Sequence, residues 1–259
     1  MTVTSFGKIL TILDLFSIHR SVINVDIITA ELGLSKPTSY RYLKELVAAE
    51  LLHRLNGTSG EYVLGPKIAV LDYVSRTTDP LVQISKPFMQ EISQRTELCC
   101  LLTYLTDHYC IDVHHEIFGN ESLIAYGRGS PRPVFIGSAP KVIMAYLPKQ
   151  QLQGYYQRFT QQLSEFDVAQ DEVSFLQKMK KIKQQGYYLS QGEVVEHLAG
   201  LSVPIRFSSK EAPLALTIIA SNQRFEYMNL DKLIETLKAS AIKIEQLYQS
   251  QSLNDTFTG

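Results

Sequence analysis

Apolar residues recur at three- and four-residue steps through the first fifty residues, and at alternate positions soon after. Ile9, Leu10, Leu13 and Phe16 give one apolar face to a segment from Phe6 to about Ile18, the period of an amphipathic helix. A second helix is predicted from Asp26 to Leu32 on Ile27, Ile28, Ala30 and Leu32, with Asp26 as its cap. Gly33 ends it, because glycine most readily takes the left-handed conformation that closes a helix. Ser35-Lys36-Pro37 then opens a third helix, expected through Thr38 to about Glu50 with Leu43, Leu46 and Val47 as its apolar stripe. Ser35 can accept a bond from a free backbone N–H, and a proline in the first turn loses no hydrogen bond the helix needs. Two alternating runs, Leu51–Leu55 and Glu61–Gly65, flank Asn56-Gly57-Thr58-Ser59-Gly60 and predict a β-hairpin. A helix, two helices joined by a short turn, then a hairpin is the order of a winged helix-turn-helix.

Pro66 to Arg76, with Ile68, Ala69, Leu71 and Val74, predicts a linker helix ended by Thr77-Thr78-Asp79-Pro80. Beyond it the pattern mixes. Helices are predicted over Leu81–Gln94, Ser138–Leu147, Leu152–Phe159, Asp171–Gln184 (stopped by Gly186) and Leu230–Gln249. The last carries Leu233, Leu237, Ile244 and Leu247 on one side. Strands are predicted over Leu98–Leu105 and His108–Ile117, with Thr106-Asp107 at their turn, and over Leu123–Tyr126, Leu201–Phe207 and Leu214–Ala220. Helices and strands do not alternate strictly, so this part is α+β with an antiparallel sheet. The expected division is a DNA-binding domain over residues 1–65, a linker helix over 66–79 and a further domain over 80–259.

Composition narrows the function classes. The 259 residues are 45% hydrophobic and 20% charged, which fits a globular chain and not a disordered one. Lys and Arg number 25 against 26 Asp and Glu, so any nucleic-acid binding must come from a local patch. Residues 1–65 are themselves balanced: Lys8, Arg20, Lys36, Arg41, Lys44 and Arg54 face Asp14, Asp26, Glu31, Glu45, Glu50 and Glu61. Modest non-specific affinity is therefore expected, raised by dimerisation. The three cysteines, Cys99, Cys100 and Cys110, make no disulfide framework, and Met1–Ser5 does not read as a secretory leader, which together predict a cytoplasmic protein. No apolar run approaches the ~20 residues of a membrane span. Enzyme signatures are missing: there is no GxSxG, P-loop or HExxH, and Gly127-Arg128-Gly129 lacks the third glycine of a dinucleotide fingerprint. Glu193 and Glu196 read as solvated loop acids.

The polar residues that remain suggest two sites. Lys36, Thr38, Ser39, Tyr40, Arg41 and Lys44 sit on the helix opened by Ser35, and Lys36, Ser39 and Tyr40 are expected to face outward together. Lysine and arginine neutralise phosphates or pair with guanine edges, and hydroxyls bond phosphates or bases. Arg54 and Asn56 sit on the wing, placed to lie along a phosphate backbone or in a minor groove. Gly137-Ser138-Ala139, opening a helix, is expected to offer backbone N–H groups to an anion such as a ligand carboxylate, with Ser190, Gln191 and Thr217 adding side-chain bonds. His108, Cys110, His114 and His115 crowd one strand beside Cys99 and Cys100. Without a CxxC, and with neighbours on a strand pointing to opposite faces, their spacing does not suit zinc, so neither metal nor cofactor is expected.

Five stretches carry a family resemblance. Ser5-Phe6 with Ile9-Leu10 and Leu13-Asp14-Leu15; Leu32-Gly33-Leu34-Ser35-Lys36-Pro37-Thr38 with Arg41-Tyr42-Leu43 and Leu46; Tyr62-Val63-Leu64-Gly65-Pro66; Pro133-Val134-Phe135 with Ser138, Lys141 and Met144-Ala145-Tyr146-Leu147-Pro148; and Gly186-Tyr187-Tyr188-Leu189 with Glu193 together resemble, in order, the IclR family of bacterial transcription regulators. The resemblance implies a winged helix-turn-helix, a linker helix and a GAF-like effector-binding domain. It also implies dimers or dimers of dimers on double-stranded promoter DNA, answering to a small organic or aromatic acid, as many repressors do. Pro140 stands where members commonly have glycine, Ser190-Gln191 where acids are common, Gly200 near a common cysteine, and Thr217 and Ile219 where serines are common. The scaffold is thus expected to be shared and the pocket chemistry to differ. A small-molecule enzyme fused to a winged helix, and a ligand-independent oligomerisation module, remain the alternatives at this point.

Overall fold

A computed structural model describes residues 4–55, 57, 60–119, 125–166, 168–207 and 213–256, without the side chains of Ser5 and residues 252–256. The chain divides into two compact units, Met1–Thr77 and Thr78–Gly259.

In the first unit, α1 (Ser5–Leu10) is followed by a 3-10 turn (Leu13–Leu15), β1 (Ile23–Asn24), α2 (Val25–Leu32), α3 (Lys36–Ala48), β2 (Leu52–Arg54), β3 (Glu61–Leu64) and α4 (Pro66–Thr78). The single helix expected to run to about Ile18 is broken. The Thr11 hydroxyl donates to the Lys8 carbonyl at 2.9 Å, a local bond that competes with helix continuation. The cap of α2 is Asn24, not Asp26: Asn24 is extended (φ −138°, ψ 176°) and its Oδ1 accepts from the Ile27 N–H at 3.0 Å. Gly33 ends α2 at φ 63°. β1 has no counterpart in the sequence reading, since two residues cannot show a period. It pairs with β3 (Ile23 opposite Tyr62), and β3 with β2 (Arg54 opposite Tyr62), giving the order β1-β3-β2. Ile12, Ile23, Ile28, Leu43 and Leu52 form the fully buried centre of this unit.

The second unit contains α5 (Pro80–Thr96), β4 (Cys99–Leu105), β5 (Cys110–Glu116), α6 (Ser138–Met144), α7 (Lys149–Glu165), α8 (Glu172–Gln185), β6 (Tyr188–Gln191), β7 (Leu198–Ile205), β8 (Leu214–Ser221), α9 (Asn222–Glu226) and α10 (Leu230–Thr256). Asp79 caps α5 by accepting from the Leu81 N–H at 2.9 Å, and Asp171 and Ser174 cap α8 reciprocally. The sheet is antiparallel in the order β5-β4-β8-β7-β6.

Alternation decides what each face of the sheet does. Leu214, Leu216, Ile218 and Ala220 of β8, with Cys100 and Leu102 of β4, pack against Leu81, Met89, Leu237 and Ile244 of α5 and α10. The intervening residues are Ala215, Thr217 and Ile219, the first two small or hydroxylic, and α6 lies over that side with Ala139 and Ile143 against Ala215. Leu247 of the closing helix is 45% exposed and does not join Leu233, Leu237 and Ile244 in the core.

One strand expectation changes, and two strand features go beyond the sequence reading. Of the strand predicted over Leu123–Tyr126, Leu123 and Ile124 lie outside the described residues, and Ala125 and Tyr126 form a bend. Ser190 and Gln191 belong to the edge strand β6 (Ser190 opposite Gly200), not to a loop. Between β4 and β5 the register shifts: Leu102 pairs with His114 but Thr103 with Asp112, so Val113 is an extra residue. Its carbonyl is taken by Arg128 Nε at 2.5 Å. Among the described residues no helix is long and apolar enough to cross a membrane.

Candidate functional site

The first candidate surface is α3. Ser35 caps it, accepting from the Thr38 N–H at 3.4 Å, and the Ser35 and Thr38 hydroxyls lie 2.9 Å apart. Pro37 occupies the first turn. Tyr42, Leu43 and Leu46 turn inward, which leaves Lys36, Tyr40, Arg41 and Lys44 facing solvent. Ser39 is a correction. It is fully buried on the Tyr42, Leu43 and Leu46 side, and its hydroxyl donates to the Ser35 carbonyl at 3.1 Å. A serine three residues, nearly one full turn, from Lys36 reads as polar surface, but the inward stripe is wide enough to include it. Thr38 is half-buried. The exposed stripe is therefore Lys36, Tyr40 and Lys44, one helical turn apart each, with Arg41 beside it.

Lys36 is not idle in the free protein: its Nζ lies 2.8 Å from Asp26 Oδ1, both side chains exposed. Arg41 lies with its Cζ 5.5 Å from the Tyr42 ring centroid. Arg54 is exposed on β2. Asn56 lies outside the described residues.

The second candidate is a cavity between α6 and the small-residue side of the sheet, about 540 Å³ of space between atoms including its opening to solvent. Of the residues expected to meet a ligand, Gly137, Ser138, Ala139, Ser190 and Thr217 are brought together on its wall. Gln191 is not: it is exposed and stands outside that lining. The Ser138 hydroxyl is not a helix cap but the start of a buried ladder, 2.7 Å from Ser202 Oγ, which lies 2.7 Å from Thr217 Oγ1. Ser190 Oγ donates to the Gly200 carbonyl at 3.3 Å. A Cβ at Gly200 would stand 2.9 Å from Ser138 Oγ and 3.4 Å from Ser190 Oγ, so the hydroxyls can gather only because this position is glycine.

Asp112 and Arg132 also line the cavity. Both are buried, and both guanidinium nitrogens of Arg132 reach the carboxylate, Nη2 at 2.7 Å from Oδ1. Thr103 Oγ1 donates to Asp112 Oδ1 at 2.6 Å. His115 Nε2 stands 3.5 Å from Asp112 Oδ2. Burial pushes the Asp112 carboxyl up, but His115, Arg132 and Thr103 outweigh it and hold it at about 2. Burial also pushes the neighbouring Cys110 thiol up to about 12, so it behaves as a small neutral side chain.

A second buried pair flanks the cavity. Lys141 of α6 is 2% exposed and pairs with Glu193 Oε2. The same carboxylate accepts from the Gly137 N–H at 3.0 Å and from the Tyr188 hydroxyl at 3.1 Å. Burial pushes the Lys141 ammonium pKa down, against the pull of Glu193, and pushes the Tyr188 phenol up. Two expectations are corrected here. The Gly137 N–H, expected to be open to an incoming anion, is already occupied. Glu193, read as a solvated loop acid, holds three partners.

Sequence reasoning thus missed Asp112, Arg132, Lys141 and Glu193. Lys141 carried a readable signal: a lone lysine among Val142, Ile143 and Met144 on a helix with no polar face needs a buried partner. Among the described residues no three of His, Cys, Asp and Glu gather as a metal-holding group; His114 instead lies 2.7 Å from Glu116.

Residues 72–246 match the family described as bacterial transcriptional regulator IclR C-terminal, and residues 5–55 the IclR helix-turn-helix domain. The chain is 24% identical over 242 residues to the HTH-type transcriptional regulator KipR of Bacillus subtilis (strain 168), covering 92% of this chain and 94% of that protein. Its fold is similar to an IclR family transcriptional regulator from Brucella abortus, with a TM-score of 0.77, 19% identity, and coverage of 95% and 92% of the two chains. It is also similar to an IclR homolog from Microbacterium hydrocarbonoxydans complexed with 4-hydroxybenzoate, with a TM-score of 0.65, 19% identity, and coverage of 94% and 98%.

Proposed function

This chain belongs to the IclR family of bacterial transcriptional regulators, and on that premise we propose how it reads DNA and what controls the reading. As an effector-modulated DNA-binding regulator it presents α3 to the major groove. Lys36, Tyr40, Arg41 and Lys44 contact phosphates and base edges, Ser35 and Thr38 contribute hydroxyls at the start of the helix, and Arg54 lies along the backbone from the wing. The observation that carries this reading is the solvent-facing stripe of Lys36, Tyr40 and Lys44 with Arg41 beside it, on a helix whose opposite side packs Ser39, Tyr42, Leu43 and Leu46 inward.

The chain acts in the cytoplasm as a homodimer or dimer of dimers. The exposed Val70, Leu71, Tyr73 and Val74 of α4 support self-association, and the near-neutral charge of residues 1–65 requires two half-sites for useful affinity. The effector is a small organic or aromatic acid held in the α6 cavity, with Ser138, Ser190 and Thr217 bonding its polar groups and Ala139, Ile136 and Ile219 covering its apolar body. The Microbacterium relative bound to 4-hydroxybenzoate supports this ligand class. The acid shifts operator affinity only as far as it binds one state of the protein better than the other, and α4, continuous in sequence with both units, is the lever.

The test is selection of bound genomic fragments by the full chain, then footprinting with and without 4-hydroxybenzoate and other small acids. Protection of two half-sites, altered by at least one acid, is the expected result. A chain that protects no promoter fragment overturns the reading.

A further inference from the structure

Among the described residues of the second unit two cations are buried, and each is matched by one of the chain's own carboxylates, Arg132 by Asp112 and Lys141 by Glu193. An acid entering the cavity must leave its charge unmatched, which is costly away from water, or take over one of these cations. The two pairs differ in how readily they exchange. Asp112 is 1% exposed, lies within β5 and is held by Arg132 through two nitrogens and by Thr103. The Glu193 side chain is 25% exposed and sits on the turn between β6 and β7.

We propose that Lys141 is the cation for the effector's carboxylate, and that Glu193 is a built-in stand-in which occupies it until an acid arrives. This rests on reading the cavity as the effector site. Gly137, whose N–H is bonded to the same Glu193 oxygen as Lys141, is itself part of the cavity wall, so the stand-in carboxylate borders the space a ligand fills. The exchange is nearly balanced: one carboxylate replaces another on the same ammonium, the lysine is never unmatched, and the partly exposed Glu193 regains water. Burial of the ligand's apolar body then supplies the drive. The exchange also moves the fold. Val194, next in sequence to Glu193, lines the cavity, with its Cγ2 3.1 Å from where a Cβ on Gly137 would stand. Withdrawal of Glu193 therefore draws Val194 away and shifts the β6–β7 turn, whereas an uncharged analogue has nothing with which to dislodge the stand-in.

The experiment is chemical rescue in the full chain. In Glu193→Ala the lysine is left unmatched, and sodium acetate is expected to raise the Tm above that in sodium chloride of equal ionic strength; benzoate should do the same at lower concentration, and benzamide should not. Benzoate is expected to bind Glu193→Ala at least about tenfold more tightly than wild type, by calorimetry. Glu193→Gln, which keeps the shape and loses the charge, serves if the alanine variant does not fold. The double variant Lys141→Met/Glu193→Leu removes both charges and should show no carboxylate effect. Absence of rescue by acetate and benzoate, equal benzoate affinity in wild type and variant, or equal rescue of the double variant overturns the proposal. The operator footprint then still tests the cavity as an effector site, because it does not depend on which residue meets the acid.

Discussion

On α3, Lys36, Tyr40, Arg41 and Lys44 face solvent with little holding them, whereas in the five-stranded unit Thr103, Asp112, Arg132, Ser138, Lys141, Ser202 and Thr217 are buried. In the first case polar chemistry awaits a partner outside the molecule. In the second, the partner is already inside. Ser138, Ser202 and Thr217 bond one another, and Asp112 and Glu193 each hold a cation. A DNA surface of this kind gains contacts by addition, while a cavity of this kind gains a ligand by exchange. The cost of a substitution follows from the same difference: it reaches folding in the buried network and only binding on the exposed helix.

The strongest way to break this contrast is Asp112→Ala. It leaves the Arg132 guanidinium buried and unmatched, and is expected to destabilise the second unit by about 3–5 kcal/mol, read by urea unfolding. Asp112→Leu with Arg132→Met should recover most of that loss. The pH dependence has a definite sign. The Asp112 carboxyl is held at about 2, below its model-compound value of 3.8, so its contribution is fully present above about pH 4 and is lost as pH falls toward 2. That interval corresponds to about 2 kcal/mol. A loss of the same size when Asp112 is already replaced would show that another group is responsible.

Arg41→Ala should act on binding and not on folding. Loss of one good base contact costs about 1–3 kcal/mol of specific affinity, with an unchanged unfolding midpoint. If Arg41 meets phosphate instead, the log–log salt dependence should flatten by about 0.9. Fluorescence anisotropy on the selected operator at several salt concentrations separates the two, and unchanged specific binding would remove Arg41 from the interface. The smallest expected effect is that of Asp26→Asn. Lys36 then loses its competing carboxylate, and non-specific DNA affinity should rise by about twofold at low salt with no change in thermal midpoint.

The two units also differ in how much of them the sequence made legible. The turn at Gly33, the cap at Ser35 and the hairpin partners of the wing follow from local chemistry, because glycine conformation, capping and alternation act within a few residues. The errors there are local as well: Asn24 outcompetes Asp26 as cap by being two residues earlier and extended, and Ser39 turns inward because its neighbours at three and four positions on are Tyr42 and Leu43. The α+β class of the second unit was equally legible from its mixed periods. Its cavity was only partly so. Gly137, Ser138, Ala139, Ser190 and Thr217 were named as separate polar or small positions, and the structure gathers them. The pairing of Asp112 with Arg132, twenty residues apart, and of Lys141 with Glu193, fifty-two apart, depends on which strands and helices meet. No window of sequence contains that information.

Val113, the additional residue between the β4 and β5 pairings, sets the inside-outside parity of everything after it. Regular pairing would place His114 opposite Leu101, on the cavity side; because of Val113 that place goes to His115, and His114 turns away to meet Glu116. Removing the Val113 codon would absorb the irregularity and leave His115 opposite Leu101 and His114 opposite Leu102, whereas taking Val113 into regular pairing would exchange the faces of the two histidines without altering either of them. Which imidazole stands beside Asp112 is therefore set by how this strand accommodates one extra residue as well as by its letters.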